Sequence, residues 1–547
     1  MNRGIYPAMI GACLLLAAPL AAQGTGAVSE SIRARVNALQ LSDGAATVLA
    51  VPLQTGSLLS RFYAGRNYQP AWTDPNRAGA LLQAIRASRQ DGLEPRDYLI
   101  EPLERLEPFA LALTTSPTLR ADFDLLATEA LIRLWSSLTV GKVDPTTLDT
   151  TWHIPPPPLP PNAAGTIEAL ATSDTLALAV AALAPRHPLY LRLRNDLAQY
   201  RALESAGGWE SIDRGPNIEE GDVDARIPSL RRRLAATGDL DSAAAADSGE
   251  TFMPPLTAAL TQFQARHGLY PDGVLGPRTI AELNVPVSAR IETLRINLER
   301  GRWVLRELGS TFVAVNIAGF ESYFVRNDTL VWRAPSIVGQ PFRQTPEFRA
   351  TMTYLVVNPT WTVPQLLLDE DVFPAVRRDS TYLATHAMRV LDWQGNAIDP
   401  ATIDWHWYRG RSFPYRIVQA PGGSNPLGRI KFMFPNPYAV YLHDTPARAL
   451  FRKPQRTFSS GCIRVEHPMA LAELLLEGSP WTPAALDSLV AAGAEQTIPL
   501  PRGVPVVLLY WTAWSAEDGT INFRSDVYHR DAAVLRALDA PFDFRSP

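Results

Sequence analysis

The chain has 547 residues, 46% of them hydrophobic and 19% charged, with a formal net charge of −4 and a pI near 6.1. This is the composition of a folded globular protein, and the length suggests roughly three or four domains. The mildly acidic balance, with no basic stripe or RNA-reading motif, argues against nucleic acid as a partner.

At the N-terminus Arg3 precedes a mostly apolar run from Ile5 to Ala22, followed by Gln23-Gly-Thr-Gly26. This is the form of a secretory signal over residues 1–23, cut near Ala22 or Gln23. An uncleaved anchor is the alternative, because the run just reaches spanning length. Cys13 is a poor lipidation site, since Leu14-Leu-Leu16 carries the apolar run past it. Residues 30–215 read as a mainly helical domain. Leu81, Leu82 and Ile85 form one apolar stripe, and Phe123, Leu126, Ala130, Leu131 and Leu134 form another at helical spacing. The run Ile154-Pro-Pro-Pro-Pro-Leu-Pro-Pro161 is expected as an extended connector.

Residues 222–285 read as a compact helical unit, with stripes at Leu230 and Leu234 and at Leu256, Leu260 and Phe263. Turn dipeptides follow at Asp272-Gly273 and Gly276-Pro277. A helix over 286–309, carrying Ile291, Leu294, Leu298 and Val304, is expected to pack back on the helical domain. Beyond it, Phe312 to Ile317, Ser322 to Val325, Thr329 to Trp332, Met352 to Val357, Ala439 to Leu442 and Val504 to Trp511 read as strands. Residues 310–547 are therefore an antiparallel-rich β domain, interrupted over 366–419 by a helical and irregular insertion. The fold class expected is multidomain α+β.

Without Cys13, Cys462 is the chain's single cysteine, in Phe458-Ser-Ser-Gly-Cys-Ile-Arg-Val465. In an exported protein a lone thiol has no disulfide partner; it is buried and inert, or it is there to react. Ser459, Ser460 and Gly461 leave room at the sulfur, and Arg464 favours thiolate. A nucleophilic thiol needs a base. Of eight histidines, His443 is the best placed, at the end of an apolar strand and nineteen residues before Cys462; a structural role is the alternative. His406 and His467 fit packing and capping better. No histidine pair has zinc-ligand spacing, so neither metal nor cofactor is expected.

Residues 222–285 resemble the three-helix type of peptidoglycan-binding domain. The resemblance is carried by Phe263, Gln264, Gly268, Leu269, Asp272, Gly273, Gly276 and Thr279. Residues 310–547 resemble the catalytic domain of L,D-transpeptidases, whose signature is a histidine, a loop, then Ser/Thr-His-Gly-Cys, a hydrophobe and Asn. His443, Ser459, Gly461, Cys462 and Ile463 match it, whereas Ser460 and Arg464 stand where the signature has His and Asn. That variant is similar to the large Gram-negative branch of the family. Val338-Gly339 with Thr345-Pro346, Asn358-Pro-Thr-Trp361 and Gly422-Gly-Ser-Asn-Pro-Leu-Gly428 agree with it, and Gln69-Pro-Ala-Trp72 and Gly92 to Tyr98 resemble its scaffold domain.

The resemblance implies a periplasmic enzyme that forms 3→3 crosslinks between peptidoglycan stems through a thioester on Cys462. His443 would be the base, and N–H groups around Gly461 would hold the oxyanion. Ser459, Ser460, Arg464, Trp361, Tyr441 and Asp444 would contact substrate, with the 366–419 insertion as a cap. A structural salt bridge is the alternative for Arg464. The implied partners are a donor tetrapeptide, an acceptor stem, glycan strands held by 222–285, and other wall-synthesis enzymes. Sensitivity to carbapenems but not penicillins is also implied. Two alternatives stay open: a cysteine carboxypeptidase, endopeptidase or amidase using water as acceptor, and a wall-binding scaffold with an inactive catalytic domain.

Overall fold

The computed structural model describes residues 20–41, 47–110, 112 and 116–544. Most of the expected signal over 1–23 lies outside the described residues. Among them, no helix is long and apolar enough to cross a membrane. The fold is mixed α+β, and the chain divides into two compact units.

The first unit comprises 1–142, 158–185 and 539–547. Its centre is the helix Pro117–Val140, opened by a Ser116 side chain that accepts from the Leu119 N–H and by Pro at the first turn. The predicted stripe of Phe123, Leu126, Ala130, Leu131 and Leu134 is buried, but so is nearly every other side chain of this helix. Its buried charge is paired within the unit: Glu129 accepts from the Gln54 N–H and from Arg133.

The second unit comprises 143–157 and 186–538. Helix Val287–Val304 packs along helix Pro188–Ser205, with buried Arg302 donating to the Tyr190 hydroxyl. Helices Ile227–Ala236, Pro254–Arg266 and Pro277–Leu283 enclose a core of Ile227, Leu230, Leu234, Leu260, Phe263 and Leu283. Gln264 knits this small unit together. Its amide donates to Asp272 Oδ1 at 2.9 Å and Thr279 Oγ1 at 3.2 Å, and its carbonyl accepts from the Gly273 N–H.

From 312 onward a nine-stranded sheet dominates. The long strand Thr329–Gly339 pairs with Glu321–Arg326 along one part and with Ile463–Val465 along another, which closes the sheet on itself. Val313, Leu355, Phe432, Leu442, Ile463 and Val465 fill its interior. Most pairings are antiparallel, but Leu442–His443 pairs in parallel with Ile463–Val465. The strand predicted over Ala439 to Leu442 begins only at Leu442. Ala439 adopts a left-handed φ of 53°, which no strand accommodates.

Within 361–419 the chain builds a second, four-stranded sheet with short helices and a core of its own, including Phe373, Leu383, Val390, Phe413 and Ile417. A π-helical turn, Leu368–Val372, sits on it.

Candidate active site

The site follows from strand register. In the parallel pair, Leu442 stands opposite Ile463 and His443 opposite Arg464. Leu442 and Ile463 are fully buried in the barrel core. Because side chains alternate along a strand, Tyr441, His443, Cys462 and Arg464 project together from the outer face. Carrying the register back one residue sets Tyr441 beside Cys462, and the Ile463 N–H donates to the Tyr441 carbonyl at 3.1 Å. The Tyr441 and His443 rings are 5.6 Å apart. On its other side His443 is opposite Lys431. The imidazole is thus flanked across three strands by two cations.

That flanking and burial push His443 down to about 3, with burial the largest cause, followed by Arg464. His443 is therefore neutral at ordinary pH. Its Nδ1 lies 2.6 Å from the Asp444 carbonyl. A carbonyl only accepts, so Nδ1 carries the hydrogen and Nε2 keeps its lone pair.

Cys462 closes the turn between strands Thr457–Ser459 and Ile463–Val465 and is half-buried. Its thiol donates to the Ala439 carbonyl at 3.6 Å, the carbonyl that the left-handed Ala439 presents. Burial raises the thiol above its ordinary range. The Tyr441 N–H and phenol, and then Arg464, act in the opposite direction without reversing the shift. The thiolate expected from Arg464 is therefore not the resting form; desolvation outweighs the neighbouring charge.

Gly461 has a φ of 113°, a conformation only glycine adopts readily. Its N–H donates to Ser459 Oγ at 3.2 Å, and Ser459 Oγ donates to the Cys462 carbonyl at 2.5 Å. The Gly461 amide, expected to hold an oxyanion, is committed to shaping the turn in this conformation. Ser460 is exposed, and its hydroxyl accepts from Arg343 at 2.8 Å. Arg343 also pairs with Glu370 and, at 3.8 Å, with Asp371 on the π-helical turn.

Arg464 forms no ion pair with a carboxylate among the described residues, and its Nε has no hydrogen-bond partner. Of its two expected roles, the structural salt bridge is not formed. Asp444 is buried and holds Arg429 and Arg448. Its side chain is thus taken up locally, and its contact to His443 runs through its main-chain carbonyl. Trp361 is half-buried in the smaller sheet opposite Gln419 and packs on that sheet's core, apart from the cysteine turn in the chain's pairing. Lys431 was not anticipated from the sequence. The only signal for it is period-two alternation in Ile430-Lys-Phe432, which marks an outward position.

Family models place these features. An L,D-transpeptidase catalytic domain matches residues 310–482, a peptidoglycan-binding domain matches 224–283 and a scaffold domain matches 57–197. Residues 310–482 are thus similar to the catalytic domain of L,D-transpeptidases. An inferred L,D-transpeptidase of Haemophilus influenzae (strain ATCC 51907 / DSM 11121 / KW20 / Rd) is 39% identical over 222 residues, which is 41% of this chain and 45% of that protein. The match thus spans less than half of that relative's length. A crystal structure of an L,D-transpeptidase from Xylanimonas cellulosilytica DSM 15894 is 15% identical and covers 54% of this chain and 100% of its own, with a TM-score of 0.19. A fused Zn-dependent amidase/peptidase/peptidoglycan-binding protein from Clostridium acetobutylicum ATCC 824 is 11% identical over 54% of this chain and 100% of its own, with a TM-score of 0.13. Overlaps this slight carry no argument about the L,D-transpeptidase domain.

Proposed function

We propose that this chain is a peptidoglycan L,D-transpeptidase that forms 3→3 crosslinks through a thioester on Cys462. The observation that carries the reading is the outward quartet of Tyr441, His443, Cys462 and Arg464 on one parallel strand pair. A thiol, a neutral imidazole with a free lone pair, a phenol and a cation without a carboxylate partner among the described residues are what acyl transfer from an anionic peptide needs.

In this reading His443 Nε2 takes the thiol proton as the sulfur attacks the carbonyl of meso-diaminopimelate at position three of a tetrapeptide stem. The Tyr441 phenol keeps its proton, because burial raises it far above its ordinary range and Cys462 adds to the shift, so it is able to donate to the oxyanion. The C–N bond to the fourth residue breaks, and His443 returns the proton to the departing D-alanine amine. An amine of a second stem then attacks the thioester, and the sulfur leaves as thiol. Arg464 takes a stem carboxylate. The 366–419 insertion, with Trp361 and its contact to Ser460 through Arg343, covers the substrate.

The 224–283 domain holds glycan, 57–197 serves as scaffold, the working location is the periplasm after export, and carbapenems acylate Cys462. The test is purified protein incubated with disaccharide-tetrapeptide, followed by mass spectrometry of products and of Cys462. A thioester with loss of D-alanine, and a crosslinked dimer when acceptor is present, are expected. An acyl-enzyme surviving in Cys462→Ala, or release of only hydrolysed stem with acceptor in excess, overturns the proposal.

A further inference from the structure

Arg429 and Arg448 converge on one buried carboxylate. Asp444 is 1% exposed, and its Oδ1 accepts from Arg448 Nη2 at 2.8 Å. Oδ2 accepts from the Arg429 backbone N–H at 2.9 Å and lies 3.4 Å from Arg429 Nε. One carboxylate balances one guanidinium, so the cluster keeps a full positive charge. Both forks remain open, with side chains 47% and 45% exposed.

The two arginines line a cavity of about 490 Å³ in which Asp444 is the sole acidic lining residue among those described. Gly422 and Gly423 form part of its wall, and a Cβ on either would meet nothing within 4 Å. The space beside the dyad is therefore open. A buried anion that fixes two cations, whose free donors face an open cavity, is a built receptor for a planar anion; guanidinium forks match a carboxylate in geometry as well as charge. Asp444 also accepts His443 Nδ1–H through its main-chain carbonyl, so one residue positions both the dyad and the base.

We propose that the Arg429–Arg448 dyad is a specificity-determining receptor for a carboxylate of a peptide stem. The inference rests on the transpeptidase reading. A stem containing diaminopimelate carries more than one carboxylate, so the dyad and Arg464 do not compete. The carboxylate comes from the donor stem or from the acceptor stem, and two arms of one experiment separate these sources.

In the first arm, full-length protein is titrated with donor tetrapeptide alone, as free acid and with the diaminopimelate carboxyl amidated, and acyl-enzyme is measured by mass spectrometry. In the second, preformed acyl-enzyme is titrated with acid and amidated acceptor. In one arm, wild-type protein half-saturates at about a tenfold lower concentration of acid than of amide, the scale of one charge-assisted contact. Arg448→Gln weakens handling of the acid far more than of the amide and so removes most of that difference, and Arg448→Lys retains part of it. Asp444 keeps Arg429 as its partner in both variants, so folding is preserved. Equal handling of acid and amide by the wild type in both arms overturns the inference, as does an equal loss for both forms in Arg448→Gln. If wild-type protein forms no acyl-enzyme, the transpeptidase reading fails, and calorimetry with the two tetrapeptides still decides the dyad by the same acid preference.

Discussion

Thr345 donates its hydroxyl to the Gly461 carbonyl at 2.8 Å, fixing the residue before Cys462 from a separate loop. The same hydroxyl accepts from the Gly339 N–H at 2.9 Å, and Tyr528 donates to the Gly339 carbonyl at 2.6 Å. Thr345 is fully buried, so Thr345→Val leaves two main-chain groups without partners. We expect a stability loss of about 1–3 kcal/mol and a larger fall in acyl-enzyme formation than in glycan binding. Thr345→Ser retains both hydrogen bonds and restores most of each. Denaturant unfolding together with acylation rates checks this; a variant with wild-type acylation would show that the turn does not depend on Thr345.

The resting thiol sets a pH signature. The Cys462 thiol is held above its ordinary range and His443 far below its own, so the free protein carries a neutral thiol and a neutral imidazole rather than an ion pair. Alkylation of Cys462 by iodoacetamide should rise monotonically with pH and pass its midpoint above the ordinary thiol range of about 8.5. Arg464→Ala removes a charge that favours thiolate and should move the midpoint higher still. A reactive plateau reaching into acid would contradict the assignment.

Much of this site was legible in the sequence and part was not. Cys462, Gly461 and His443 stand in a local pattern that needs no tertiary knowledge. The relation among Tyr441, His443, Cys462 and Arg464 depends on a parallel pairing inside a mostly antiparallel sheet, and alternation alone does not say which strands become neighbours. Lys431 was invisible as a partner for the same reason. Arg464 brings a charge that favours thiolate, but the sign of the net shift depends on burial, which one sequence does not give. The motif residues Gln264, Asp272, Gly273 and Thr279 were legible as a set, and the structure shows why they occur together: one glutamine amide hydrogen-bonds to the other three.

Lys431 tunes the His443 imidazole. It stands opposite His443, and its charge contributes to lowering the imidazole. Lys431→Met should raise His443 and shift the acid limb of the kcat/KM profile for acylation upward. Because the folded value of about 3 lies below the ordinary 6.5, the unfolded chain binds a proton that the folded one does not across that interval. Stability contributed by neutral His443 is therefore complete above about 6.5 and lost as pH falls toward about 3, on the order of 5 kcal/mol. His443→Gln should flatten this acid slope in pH-dependent unfolding, and Lys431→Met should narrow its window. An unchanged slope in both variants would place the acid sensitivity elsewhere.

Arg343 joins the cysteine turn to the insertion, donating to Ser460 Oγ at 2.8 Å and pairing with Glu370 and Asp371. The arginine side chain is only 12% exposed, whereas the two acids are 42% and 58% exposed, so water and salt reach the acidic side of the contact. An ion pair of that kind is worth about 1 kcal/mol or less at ordinary ionic strength, enough to bias the position of the insertion without locking it. Glu370→Gln combined with Asp371→Asn should therefore speed alkylation of Cys462 by a bulky maleimide severalfold while changing the rate with small iodoacetamide little. Wild-type protein at about 1 M salt, where the screening length falls to roughly 3 Å, should approach the variant's maleimide rate. Equal acceleration of both reagents would mean that the acids act on the sulfur's ionisation and not on access to it, because a steric gate discriminates by size and an electrostatic effect on the thiol does not.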